Sequence, residues 1–238
     1  MKGIIYYTDN RYLDPPIYPV AQRFILGSGL PITSVSLRPI DFGKNFVLNR
    51  KRGMYTMILQ IIMALENSEA DHVFFCEHDV LYPKSHFDFT PPRDDTYYYN
   101  TNAWRWRYHT RQVVTFKGLA SLSSMCCNRK LALEHFKFRK KYVEDNKFDM
   151  ESTGETSWSR HMAYEPGLKK RSYFPDELAD FWHSEFPLVD IRHRFCTTVR
   201  KTTLAEFNCP PEDLPEITPD QVPGWDLEKL FEGHLFYK

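Results

Sequence analysis

The chain has no apolar run approaching the roughly 18 residues that a membrane-spanning helix needs, so no span is expected. It has no net charge either: 31 Lys and Arg stand against 31 Asp and Glu. That balance removes any global electrostatic case for nucleic acid and leaves a local patch as the remaining argument. Cysteines are few, five in 238 residues, with no repeating spacing and no C-x-x-C pair. A structural zinc site of the usual signature is therefore excluded, and reduced thiols in a cytoplasmic protein are expected. The opening residues Met1 to Asp9 turn polar too soon for a signal peptide. Internal repeats are missing too. What is present is apolar and aromatic mass, 42% and 16% of the chain, enough for a sizeable core in one domain.

Gly3–Thr8 is a short β-rich run followed by the polar break Asp9-Asn10-Arg11, the pattern of a first strand in an open α/β sheet with its loop facing a ligand. A Pro-rich loop leads to a helical pattern over 20–28, then to a strand over 32–37. Gly53 opens the clearest helix, with Met54, Ile58, Ile61, Ile62 and Leu65 on one face. Residues 73–76 form the next strand. Further strands are expected near 96–100, 112–116 and 188–193, and a helix over 128–143 with Asn128 as its N-cap. Alternating strands and helices predict an α/β fold: one Rossmann-type domain, a mostly parallel central sheet with helices on both faces, and an extended C-terminal tail. The tail, 208–238, is Pro-rich and ends in a short docking helix over 226–232.

The stretch Val73-Phe74-Phe75-Cys76-Glu77-His78-Asp79-Val80-Leu81-Tyr82 carries the most chemistry. An apolar strand ends in acid-x-acid and turns apolar again. Side chains in a strand alternate faces, so Glu77 and Asp79 point the same way, and if the strand ends there both reach one small volume at its C-terminal edge, where open α/β sheets bind ligands. Two carboxylates there suit Mg²⁺ or Mn²⁺; the plainer alternative is a solvated strand end.

The first strand, the Arg52-Gly53 helix start, Glu77-His78-Asp79 and the later Val189-Asp190-Ile191-Arg192-His193 together resemble nucleotide-sugar glycosyltransferases of the GT-A fold, in a bacterial or phage subgroup. Glu77-His78-Asp79 looks like a variant of their D-x-D motif, with Glu replacing the first Asp. The resemblance implies a transferase domain over 1–207, with a nucleotide-sugar half over about 1–82 and an acceptor half over about 83–207. It implies that Asp79, Glu77 and His193 ligate Mn²⁺ or Mg²⁺, with His183 the rival of His193. Thr8, Asp9, Asn10, Arg11, Arg52, Gly53 and His78 would hold the donor, a UDP-sugar. Arg52-Gly53 also reads as an anion site in its own right, a cation beside bare N–H groups.

An inverting transfer needs a carboxylate to take the acceptor proton. Glu155, in Gly154-Glu155-Thr156-Ser157-Trp158, resembles the family's base, with Glu165 second; a helix-start acid favoured by the dipole is the alternative for Glu155. The block Tyr97–Tyr108 is dense in aromatics and arginine. Asn100, Asn102, Trp104 and Trp106 are the expected acceptor contacts, for a saccharide or a modified base in phage DNA, with Arg105 and Arg107 on the other strand face for phosphate. Two rival functions remain at this point. One is a phosphohydrolase using His78-Asp79, which would need further ligands on helices. The other is a non-catalytic module that binds glycan or nucleic acid.

Overall fold

The structure, a computed structural model, describes residues 1–11, 16–108, 110–115, 119–169, 172–196, 215–232 and 234. Strand β1 (Lys2–Thr8) is buried at every position after Lys2, as a strand covered on both faces must be. It lies between β2 (Ile32–Ser36) and β4 (His72–Cys76), parallel to both. β3 (Lys44–Val47) adds in parallel beyond β2. Beyond β4 comes β9 (Met125–Asn128), antiparallel to β4 and to β6 (Thr96–Asn100), and β10 (Leu178–Trp182) forms the edge, parallel to β6. The seven-stranded order is β10-β6-β9-β4-β1-β2-β3.

Alternation divides the strand side chains between two cores. Ile5, Tyr7, Val73 and Phe75 face α2 (Met54–Asn67) and α4 (Arg129–Asp145). Ile4, Tyr6, Phe74 and Cys76 face the other way, toward Ile25 of α1 (Ile17–Leu26) and Phe87 of α3 (Lys84–Asp88). The α/β class, the mostly parallel sheet and helices on both faces are thus as the sequence predicts. The α4 cap is as predicted too: Asn128 Oδ1 accepts from the N–H of Lys130 at 2.9 Å and of Leu131 at 3.3 Å.

A second sheet, separate from the first, was not expected. Its strands are β5 (Val80–Leu81), β7 (Ala103–Arg107), β8 (Val113–Val114), β11 (Leu188–Arg192) and β12 (Glu216–Ile217), in the order β12-β8-β7-β11-β5. Trp106, Val189 and Ile191 pack on Ile17 and Ala21 of α1, and on Leu227 and Phe231 at α6 (Leu227–Leu230). The expected docking helix is α6, whose Leu227 is fully buried together with Phe231 just after it. Residues 208–214 of the tail lie outside the described residues; beyond them β12 pairs with β8, a pairing the sequence did not predict. Among the described residues no helix is long and apolar enough to cross a membrane.

Candidate active site

β2 and β3 lie to one side of β1 and β4 to the other, so the chain switches direction between β1 and β4. A crevice at the carboxyl ends of strands at such a switch is where open α/β sheets take ligands. A cleft of about 1050 Å³ opens there. Thr8, Asp9 and Arg11 come to it from the end of β1, Arg52 and Gly53 from the start of α2, and Glu77, His78 and Asp79 from the end of β4. Glu155 and Glu165 reach it from the loops around α5 (Ser157–Met162).

Strand geometry ends at Cys76, and Glu77–Asp79 form a turn before β5. The alternation that predicted Glu77 and Asp79 side by side therefore does not apply. Ligand atoms of His78, Asp79 and His193 lie within 4.8 Å of one another. The expected metal trio of Glu77, Asp79 and His193 is thus altered at one position, with His78 replacing Glu77 in the cluster. Glu77 is instead engaged by Tyr7, whose hydroxyl donates to Glu77 Oε1 at 2.6 Å. Burial and the neighbouring Asp79 push the Glu77 carboxyl up to about 8. Burial acts upward on Asp79 too, but His78, His193 and Arg192 outweigh it and hold that carboxyl well below its usual range.

Two neighbouring strands fix the cluster. Ile191 N–H donates to the Asp79 carbonyl at 2.8 Å, and β5 pairs antiparallel with β11. That clip carries His193 to the β4 end, with Nε2 3.3 Å from Asp79 Oδ2. Cys196 follows one turn on, its Sγ 3.7 Å from the same oxygen. One carboxylate and two imidazoles, converging and partly shielded from water, form a donor set that fits a divalent cation. His183 is exposed and stands beside Thr101, with Nδ1 3.4 Å from its hydroxyl and outside the cleft.

Cationic groups border the cluster. Arg11 donates to Asp9 Oδ2 at 2.7 Å and reaches the Phe195 carbonyl. Arg52 holds the Thr153 carbonyl. Burial and the charge of Arg11 lower the Arg52 guanidinium's pKa, so two cations share one region of the cleft. Gly53 is required at its position because a Cβ would run into the Ser152 carbonyl oxygen. On the opposite wall Asp190 lies 3.4 Å from both Arg105 and Arg192.

Asn10 is placed differently from its neighbours. Its Oδ1 accepts from the N–H of Leu37 at 2.6 Å and of Arg38 at 3.0 Å, at a left-handed φ of 57°. It ties the β1 loop to the β2 loop. The four expected acceptor contacts do not line the cleft. Trp106 is fully buried, its Nε1–H donating to the Thr110 carbonyl at 3.0 Å, and Trp104 packs against the same cluster. Asn100 is also fully buried and donates to Ser184 Oγ at 2.7 Å; Asn102 donates to the Ser184 carbonyl at 2.8 Å. The alternation along β7 was legible, but the face was mistaken: Arg105 lines the cleft, and the tryptophans point toward α1 and α6.

The two candidate bases are held differently. Glu155 accepts from the Tyr164 hydroxyl at 2.7 Å and lies 3.7 Å from Arg160. Glu165 is shifted upward by burial, against the pull of backbone hydrogen bonds and of Lys169 and Arg139. Sequence reasoning missed Cys196 and gave Asp190 no role, although the alternation of Val189-Asp190-Ile191-Arg192 does place 190 and 192 on the polar face.

No protein-family model and no curated protein matches the chain. Among solved structures it is similar to a nucleotidyl transferase from Methanothermobacter thermautotroptrophicus, at TM-score 0.40 and 9% identity over 61% of this chain and 83% of that one. It is also similar to the apo form of the glycosyltransferase GlyE of Streptococcus pneumoniae, at TM-score 0.34 and 12% identity over 64% of this chain. It spans 40% of the GlyE chain. At these scores neither likeness bears on what this chain does.

Proposed function

We propose that the chain is a metal-dependent transferase that moves a sugar from a nucleotide-sugar donor, a UDP-sugar first among them, to an acceptor hydroxyl. The observation that carries the reading is the convergence of His78, Asp79 and His193 at the switch-point crevice, where Arg11 and Arg52 also line the cleft. Thr8 and Asp9 stand where a nucleoside would sit, and Arg11 and Arg52 where its phosphates would be. A divalent cation held by the His78, Asp79 and His193 side chains would neutralise charge on the departing diphosphate. Glu165, its carboxyl raised by burial, serves as the proton acceptor. Glu155 is occupied by the Tyr164 hydroxyl and serves to shape the wall.

Thermal shifts with UDP-, GDP-, CMP- and dTDP-sugars, each with and without Mn²⁺, Mg²⁺ or Zn²⁺, test the reading. A stabilisation that needs both nucleotide and metal and disappears in Asp79→Asn supports it. Nucleotide binding that ignores metal throughout, or no binding at all, overturns it.

A further inference from the structure

The loop that carries Glu165 to the cleft is held from behind. Helix α5 ends at Ala163, whose φ of 60° and ψ of 160° lie in a region that residues other than glycine avoid. Such a backbone persists only where its surroundings over-determine it. Arg139 of α4 supplies one constraint, donating from Nη1 to the Ala163 carbonyl at 2.5 Å. Tyr99 of β6 supplies another. It is fully buried, and its hydroxyl donates to the Pro166 carbonyl at 2.6 Å. The carbonyls on both sides of Glu165 are thus tied to the core. Gly167 then turns at a left-handed φ of 75°, where a Cβ would press on the Leu178 carbonyl at 3.1 Å, so the loop lies directly on β10.

Arg139 is itself anchored. Its Nε–H donates to His135 Nε2. His135 is neutral, its pKa lowered to about 4 chiefly by burial, so its one proton sits on Nδ1 and is donated to Glu177 Oε1 at 2.5 Å. The Tyr97 hydroxyl donates to the same oxygen at 3.1 Å. Buried polar networks of this kind rigidify what they hold. Neither Arg139 nor Tyr99 lines the cleft, whereas Ala163, Tyr164 and Glu165 do. The chain of hydrogen bonds therefore ends on the backbone of the Glu165 loop and touches no ligand.

We propose that Arg139 and Tyr99 are positioning residues that hold Glu165 in its buried place at the cleft wall for proton transfer. The inference rests on the role given to Glu165 in the proposed function and adds the residues that set its geometry. A misplacement of about 1 Å at a reacting group can cost about 100-fold in rate.

Carbon-13 NMR titration of the Glu165 carboxyl, assigned by its disappearance in Glu165→Gln, tests this without an acceptor. Burial raises this carboxyl above 4.5, against its backbone hydrogen bonds, Lys169 and Arg139. Tyr99, Arg105 and Tyr164 also face it. Tyr99→Phe leaves every charge in place, and Arg139→Lys keeps the cation while losing the guanidinium fork. Release of the loop into water should therefore lower the Glu165 midpoint toward 4.5 in both variants, whereas loss of a nearby cation would raise it. A raised midpoint retained in either folded variant removes that residue from the role, and in both it overturns the proposal. A midpoint already at 4.5 in the unmodified protein overturns it too. Should Arg139→Lys fail to fold, Tyr99→Phe decides. The transferase reading is judged separately, by the metal-dependent thermal shift with UDP-sugars, which neither variant should alter. A shift lost in a folded variant would put these residues in donor binding and overturn the positioning role.

Discussion

The end of β4 and the strand β7 hold the chain's two densest groups of chemical side chains, and the fold uses them in opposite ways. At β4 the backbone leaves the sheet after Cys76, and Glu77, His78 and Asp79 turn into a cleft of about 1050 Å³. Their partners there are charged and titratable. In β7 the tryptophans turn inward, and Trp106 satisfies its own N–H on the Thr110 carbonyl. Asn100, just before β7, is likewise satisfied by Ser184 and His86. The β7 tryptophans are buried and offer no atom to a ligand, whereas the groups at the end of β4 line an open cleft even where they pair with one another. Local density of aromatics or acids therefore says less about function than whether the group opens on a cleft.

Trp106→Ala breaks the comparison most severely. The indole is fully buried among Tyr108, Phe231 and Leu227, and its removal should cost about 3–5 kcal/mol of stability. Urea unfolding measures the loss. Metal affinity of the folded variant should stay unchanged; a lost metal site with unaltered stability would return Trp106 to a ligand-binding role. Asp79→Asn should act chiefly on binding. Metal-dependent nucleotide binding should fall by at least about 100-fold, the upper range for partners that merely support a ligand, and the unfolding midpoint should fall as well, since His78, His193 and Arg192 favour the charged carboxylate in the folded protein. Isothermal titration with Zn²⁺ or Mn²⁺ checks it, and binding preserved in Asp79→Asn would move the site elsewhere.

Much of this difference could be read from the sequence, and what could not has physical causes. Gly3–Thr8 and Val73–Cys76 are apolar on both faces, so periodicity finds them; the α2 stripe and the Asn128 cap are equally local signals. β9 is four residues, Met-Cys-Cys-Asn, held antiparallel between two distant strands, and no local pattern specifies those partners. The strands expected near 112–116 and 188–193 are present as β8 and β11, but their membership of a second sheet was not legible, since β5 and β8 are two residues each. Asp79 and His193 could be singled out in the sequence because both follow apolar strands, and the structure brings them together. That His78 joins them and Glu77 does not was hidden, because alternation was extended past the last residue in β conformation. Which face of β7 looks inward depends on α1 and α6, far apart in sequence, so Trp104 and Trp106 could not be placed from their spacing.

The closed region also has a pH signature. His86 lies among Phe74, Tyr82, Phe87 and Trp182, with Asn100 Nδ2 3.1 Å from its Nδ1 and no hydrogen-bond partner for Nε2 among the described residues. Burial pushes its pKa from 6.5 down to about 3. Between those values the unfolded chain holds a proton that the folded one refuses. Stability is therefore complete above pH 6.5 and declines as pH falls toward 3. From pH 6.5 to 5.5 the loss is about 1 kcal/mol from this group. His135, lowered to about 4 chiefly by burial, adds a loss of the same sign. Glu77, raised to about 8, gains stability over the same interval and opposes this loss. The His86 share is therefore read from denaturant midpoints at the two pH values, as the difference in pH dependence between the protein and His86→Gln; equal slopes in the two would mean that His86 is protonated in the folded protein.

Phe181→Ala sharpens the comparison at its smallest effect. Phe181 is 52% exposed, on the edge strand β10 at the rim of the cleft, and belongs to none of the buried clusters. Its ring is aromatic like that of Trp106, but truncation leaves no internal cavity, because water already occupies much of its surroundings. Surface changes of this kind stay within about 0.5 kcal/mol, against the several expected for Trp106→Ala. Parallel urea titrations of the two variants give the ratio directly. A loss above about 1 kcal/mol for Phe181→Ala would show that the rim is packed in solution, and the cleft would then be a closed part of the core like the inner face of β7.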